Sequence, residues 1–266
     1  MRVVITRPAG DAQAWVDALQ AAGHDALALP LIEVGPATHA QPVRQAWMQW
    51  STFQAVMFVS AQAVRYFFEG QTHPPIWTNG PRCWATGPGT HKALRQAGVP
   101  EACIDSPAAD AVQFDSEALW QRVATQVKAG QPVLIVRGND APFDAVQAEC
   151  STAVTGTGRD WLAQQLQAVG ASVQFVVAYE RRAPVWSAEQ KAQAVQAAAD
   201  GAVWCFSSSQ AIHHLTHAMP TQSWAKVRCV ATHPRIAQTA RSLGFGEIHM
   251  SKPSLADLLV SLESLA

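Results

Sequence analysis

At 266 residues the chain is long for one domain and suits two, since domains cluster near roughly 100–150 residues. Hydrophobic residues make up 48% and charged residues 15%, and the formal net charge of −1 excludes a general attraction to nucleic acid or to anionic membranes. No stretch reaches the ~20 apolar residues of a membrane span. The opening MRVVITRPAGD has too short an apolar run for a cleavable signal, and the five cysteines form no CxxC pair. Cys83, Cys205 and Cys229 sit inside apolar runs, as thiols do in a reducing compartment, so the expectation is a soluble cytoplasmic protein.

Short apolar runs alternate with amphipathic stretches from end to end. Arg2 to Arg7 reads as a strand, followed by a turn and a helix capped by Asp11, with Ala12, Trp15, Leu19 and Ala22 at helical spacing and Gly23 as its stop. Ala26 to Val34 reads as a longer strand. A helix through about Trp50, a strand Ala55 to Val59 and a helix from Ser60 come next. Arg82 to Ala85 is a strand that turns at Thr86 into a helix ended by Gly98. Glu117 to Lys128 is a helix, Pro132 to Val136 a strand, Arg159 to Val169 a helix and Ser172 to Arg181 a long strand. Helices from Ser187, Ser208, Pro234 and Ser254 then enclose strands at Ala202 to Phe206 and Val227 to Ala231. Strands alternating with helices imply parallel sheets covered on both faces. The fold class is α/β, with two small parallel-sheet domains of flavodoxin-like type.

The chain also repeats itself. RCWATGP from Arg82 recurs 146 residues on as RCVATHP from Arg228, and FVSAQAV from Phe58 recurs 148 residues on as FSSSQAI. VVITR from Val3 answers VLIVR from Val133, and the helix ending at Gly23 answers the one ending at Gly170. A period this long indicates two copies of one domain, and a cleft between two lobes is a usual place for a small molecule. The second copy is longer by 17 residues, mostly within Asn139 to Thr157, which reads as a mobile surface loop with a lid as the functional alternative.

In open parallel sheets ligands bind beyond the carboxyl ends of the strands. The residues at those ends are Arg7 and Pro8, Ser60 and Ala61, Thr86, Gly87, Pro88, Gly89 and Thr90, Arg137 and Gly138, Ser207, Ser208 and Ser209, then Thr232 and His233. Most are small or hydroxylated and open a helix, an anion-binding layout that needs few formal charges. Each Ser or Thr equally fits a plain helix cap. Arg7 and Arg137 occupy equivalent places in the two copies, each after an apolar strand, where a ligand or an interdomain role both fit. The GPG turn is neither a dinucleotide fingerprint nor a phosphate loop, which disfavours a nucleotide-dependent enzyme. His213, His214 and His217 share one predicted helix without an acidic partner and read as an exposed polar face, so no metal is expected. Of the two tyrosines, Tyr66 reads as packing, while Tyr179 near the end of a long strand could donate a proton or simply line the interdomain joint.

Taken together, VVITRPAG, ALPLIEV, FVSAQAVR, ATGPGTHKALRQAGV, VLIVRG, GRDWLAQQLQAVGASVQFVVAYERR and FSSSQAI resemble the uroporphyrinogen-III synthase family over essentially the whole chain. The resemblance implies two discontinuous flavodoxin-like domains joined by two long linker strands. Residues 1–36 with 181–266 would form one domain and 41–172 the other, with 37–40 and 173–180 as linkers. It implies cyclisation of hydroxymethylbilane, a linear tetrapyrrole, to uroporphyrinogen III with loss of water and inversion of the fourth ring, a lyase-type reaction without a cofactor. Tyr179 matches the tyrosine thought to aid hydroxyl departure, with Thr90 as a second catalytic hydroxyl, and Ser60 and serines 207–209 match hydroxyls of the cleft. The turn ATHPRIAQTA departs from a Gly-Pro-Thr-Thr-like pattern and places Arg235, a stronger carboxylate donor, and Ile236 where threonines are expected. Nothing demands more than a monomer, and hand-over of substrate from the preceding enzyme of the pathway fits such a reaction. The alternative reading is a non-catalytic, two-lobed cytoplasmic binding protein for a small polyanion.

Overall fold

The computed structural model describes residues 1–69, 71, 77, 80–108, 115–140 and 160–265. These form two compact units, one of Met1–Val34 with Arg182–Ala266 and one of Gly35–Arg181.

The first unit is built on a five-stranded parallel sheet. Its strands are β1 (Arg2–Ile5), β2 (Asp25–Ala28), β9 (Val203–Phe206), β10 (Arg228–Ala231) and β11 (Glu247–Met250), in the spatial order β2-β1-β9-β10-β11. That is the doubly wound order of flavodoxin-like sheets. Successive side chains of a strand point to opposite faces, so a strand covered on both sides must be apolar throughout. Val4, Trp204, Phe206 and Cys229 pack to one side, against α7 (Ala188–Ala199), α8 (Ser209–Ala218) and α9 (Pro234–Ser242). Val3, Ile5, Val203, Cys205 and Val230 pack to the other, against α1 (Ala9–Ala21) and α10 (Leu255–Glu263).

The second unit holds a six-stranded sheet. Its strands are β3 (Glu33–Pro36), β4 (Ala55–Phe58), β5 (Arg82–Ala85), β6 (Ile104–Asp105), β7 (Pro132–Asp140) and β8 (Ser172–Arg182), in the order β3-β8-β7-β4-β5-β6. Without β3 this is the same doubly wound order, with β7 and β8 in the places of β1 and β2, and β4, β5 and β6 in those of β9, β10 and β11. Ala55, Met57, Trp84, Val133 and Ile135 face α5 (Ser116–Val123) and α6 (Trp161–Ala168). The opposite face carries Phe58, which meets Phe67 of α3 (Ala61–Phe68) edge-on at 5.5 Å. The remaining α-helices of this unit, among the described residues, are α2 (Gln41–Met48) and α4 (Pro88–Gln96).

The sheets account for the sequence repeat. Each copy supplies strands in the order one to five, yet strands one and two of the first copy join strands three to five of the second. The crossing points fall in β3 and β8, which are neighbours in the second sheet. Residues 173–180, read as a linker, therefore run inside β8, and Thr38 of the other expected linker donates to the Glu180 carboxylate at 2.7 Å.

Several local expectations change. The long strand from Ala26 to Val34 is two, β2 and β3, because Pro30 has no N–H for a ladder and the chain there leaves one sheet for the other. The first cap is Pro8, with Asp11 in the opening turn of α1. The helix expected to reach Lys128 ends at Val123 in a 3₁₀ turn, Ala124–Gln126. Strands β6 and β11 carry no apolar run long enough to read, being short edge strands. His214, expected on an exposed face, is buried, with Nδ1 at the Leu31 carbonyl, whereas His213 and His217 are exposed. Gly23 and Gly170 end equivalent helices with φ of 85° and 83°, the left-handed conformation that a side chain resists. Asn139 and Asp140 of the expected loop lie in β7, and the rest of it, with Cys150, lies outside the described residues. No helix among the described residues is long and apolar enough to cross a membrane.

Two predictions arise. A fragment of residues 35–181 is expected to unfold cooperatively by itself in thermal circular dichroism, because its sheet comes from one continuous segment. The first sequence repeat, residues 1–129, lacks β7 and β9 and is expected to show no such transition. Burial pushes the thiol of Cys229 up to about 12 and raises those of Cys83 and Cys205 as well. A thiol reagent at pH 8 is expected to label these three only after unfolding, read by mass spectrometry of the native and denatured protein.

Candidate active site

In the second unit, β4 leads through Val59 into Ser60, which is extended and caps α3: its Oγ accepts the Ala63 N–H at 3.1 Å. β5 leads through Thr86, whose Oγ1 donates to the Val59 carbonyl at 3.3 Å, into Gly87, the cap of α4. Pro88 opens α4, where its missing N–H costs nothing, and Thr90 is buried in the first turn. Ala61, Pro88 and Gly89 are exposed on these turns.

Tyr179 joins this group through an irregularity in β8. Its register with β7 runs regularly to Arg137 opposite Val177 and then slips, placing Tyr179 opposite Gly138 and leaving Ala178 as an extra residue. Ile135 packs on the α5–α6 face and Phe175 packs against that same cluster, so without the bulge Tyr179 would share it. One inserted residue turns the phenol to the α3 face. There its Oη lies 3.2 Å from Ser60 Oγ, and its ring lies 6.1 Å from that of Tyr66, inclined by 25°. A Cβ at Gly138 would fall 2.3 Å from Tyr179 Cζ, so the ring occupies the space that a side chain there would need. Tyr179 is 6% exposed.

Arg137, the residue before Gly138 in β7, points to the other face. Its guanidinium binds Asp160 at 2.9 Å just before α6, lies 4.1 Å from the Phe175 ring centre and is 4% exposed. A carboxylate and an aromatic face together hold a planar, permanently charged group there.

The first unit repeats the layout at the ends of β1, β9 and β10. Arg7 lies 4.0 Å over the Trp15 ring, and burial lowers its pKa from the usual guanidinium value, opposed by the nearby Asp11. Pro8 caps α1 without a side-chain bond. Ser208 caps α8 by accepting the Gln210 N–H at 3.2 Å, between the half-buried Ser207 and Ser209, the latter's buried Oγ finding no hydrogen-bond partner among the described residues. The Thr232 N–H is bonded to the Phe206 carbonyl at 3.1 Å. His233 caps α9, its Nδ1 accepting the Arg235 N–H at 3.1 Å, which leaves the neutral ring its proton on Nε2. Arg235 is exposed in that first turn, and Ile236 belongs to the core.

The expected residues thus fall into two sets, each at the carboxyl edge of its own sheet. Tyr179 touches both Ser60 and Gly138. Three partners were not read from the sequence: Tyr66, 113 positions from Tyr179, and Asp160 and Phe175 around Arg137. No local spacing signals a contact between a helix and a strand so far apart in the chain. Among the described residues, no group of three or more His, Cys, Asp or Glu is placed to hold a metal ion.

Comparison with known proteins points to one family. The sequence profile described as uroporphyrinogen-III synthase HemD matches residues 13–260. The uroporphyrinogen-III synthase of Salmonella typhimurium is 27% identical over 264 residues, covering 98% of each chain, and that of Escherichia coli is 26% identical over 266, again covering 98% of each. In fold, the chain matches the uroporphyrinogen-III synthetase of Helicobacter pylori with a TM-score of 0.56 at 15% identity, covering 100% of both chains. A mutant uroporphyrinogen III synthase of Thermus thermophilus matches with a TM-score of 0.51 at 14% identity, covering 99% of this chain and 98% of that one. With a profile match over most of its length, the chain belongs to the uroporphyrinogen-III synthase family.

Proposed function

We propose that this protein cyclises hydroxymethylbilane to uroporphyrinogen III, with Tyr179 as the proton donor to the departing hydroxyl. The observation that supports the assignment is the bulge-directed phenol of Tyr179, held at Ser60 beside the opening turn of α3, in a chain of this family.

The chemistry begins at the terminal hydroxymethyl group. As its C–O bond breaks, the phenol gives a proton and water leaves, while the pyrrole nitrogen lone pair forms the azafulvene cation. The substituted α-carbon of the fourth ring attacks this cation and gives a spiro intermediate. That intermediate opens at its other bond and recloses through the free α-carbon, inverting the ring. The proton lost as that ring regains aromaticity balances the one spent, and returned to the phenolate it restores Tyr179. General acid assistance of this kind contributes roughly 10²–10⁴-fold.

Direct head-to-tail closure competes and gives isomer I, so holding the chain for spiro closure matters as much as the acid. The substrate is rich in carboxylates while the chain carries a net charge of −1. Backbone N–H groups at helix starts resolve this, since they bind anions without formal charge. The turns at Ala61 and Thr86–Gly89 of one unit, and at Arg7–Pro8, Ser207–Ser209 and Thr232–Arg235 of the other, are the proposed carboxylate contacts. Thr90 supplies a second hydroxyl near the α4 start. Gly138, through its backbone, completes the proposed set, whereas Arg137, buried against Asp160 and Phe175 on the opposite face, holds that end of β7 in place. Function as a monomer in the cytoplasm fits this reading. The non-catalytic binding alternative gains nothing from the comparisons.

With freshly made hydroxymethylbilane, the isomer expected on chromatography is III; isomer I alone, formed at the spontaneous rate, would overturn the activity. Tyr179→Phe is expected to lower kcat by roughly 10²-fold with isomer III still the product, and an unchanged kcat would remove Tyr179 from the acid's role.

A further inference from the structure

We infer that Ser60 is a positioning residue that acts through Tyr179 and does not itself hold the substrate. This rests on Tyr179 as the proton donor and deepens that reading.

A serine hydroxyl has one proton and two lone pairs. At Ser60 one lone pair is taken by the Ala63 N–H, which fixes Oγ over the first turn of α3. The proton and the second lone pair remain for Tyr179 Oη at 3.2 Å. An oxygen already accepting from a helix N–H is polarised toward donating. With Ser60 donating, the phenol's own proton is free to point away from Ser60, toward a leaving hydroxyl. As that proton departs, charge grows on the phenolate oxygen and the Ser60 O–H···O bond becomes charge-assisted. The interaction is therefore stronger in the transition state than in the ground state and belongs in kcat.

The surroundings support a fixed phenol. Gly138 leaves space for the ring and for nothing larger than hydrogen at its own Cα. Tyr66, on the same helix that Ser60 caps, lies alongside the ring. Both α3 contacts therefore depend on one element: its first turn sets the hydroxyl, and a residue near its end sets the ring.

A double-mutant cycle tests the inference on the full chain. Ser60→Ala is expected to lower kcat roughly 10–100-fold, as loss of a hydrogen bond to a charged group does, with KM within about twofold. In a Tyr179→Phe background the same change is expected to cost no more than about twofold further, because the group it serves is gone. Ser60→Gly, a residue tolerated at a helix cap, is expected to match Ser60→Ala in kcat; Ser60→Thr keeps cap and hydroxyl and is expected to restore the rate. Multiplicative losses in the double variant, or a raised KM with kcat kept, would place Ser60 on the substrate and overturn the inference. A Tyr179→Phe enzyme at full rate would instead refute the acid assignment beneath it. The two failures are thus distinct.

Discussion

The parallel pairing of β1 with β9 is the constraint on which the first unit depends. Val3, Val4 and Ile5 sit opposite Val203, Trp204 and Cys205, at the point where the strand order reverses. Residues from the two ends of the chain thereby close one sheet, and each strand face meets a layer of helices. The same relation holds in the second unit, where β7 takes the place of β1 beside β4. Helices that follow strands at such a reversal point their N-termini toward the carboxyl edge, and this is why capping residues gather there.

Against that regular scaffold, the candidate chemistry comes from a departure. A strand alternates faces with a period of two, so a single added residue is the smallest change that moves every later side chain to the other side. Ala178 is that residue. It separates Arg137, held by Asp160 and Phe175 on one face, from Tyr179, held by Ser60 and Tyr66 on the other. The irregularity coincides with the longest strands among the described residues, which extend past the regular part of the sheet. Gly138 completes it by having no side chain where the phenol ring must lie.

Much of this was legible because parallel strands buried on both faces must be continuous apolar runs. The segments at Val3, Ala55, Arg82, Val133, Ala202 and Val227 all read as strands for that reason. Their helix-opening residues, Ser60, Gly87, Ser208 and His233, were legible as well, since a strand-to-helix turn restricts which residues fit. Where burial was partial the signal faded: β6 and β11 went unread, and the apolar run from Ala26 to Val34 concealed a change of sheet at Pro30. His214 was misread because its helix turns that position toward Leu31, a partner 183 residues away.

The sequence by itself determined that there are two copies of a strand–helix series and which residues stand at the strand ends, because periodicity and turn chemistry are local. Tertiary packing, not the local pattern, decided how the copies are shared, with strands one and two of each completing the sheet of the other. A parallel strand pairs equally well with either equivalent neighbour by local rules, so the choice lies in long-range packing. The same holds for the face on which Tyr179 emerges, since a one-residue slip in register leaves no trace in composition or spacing.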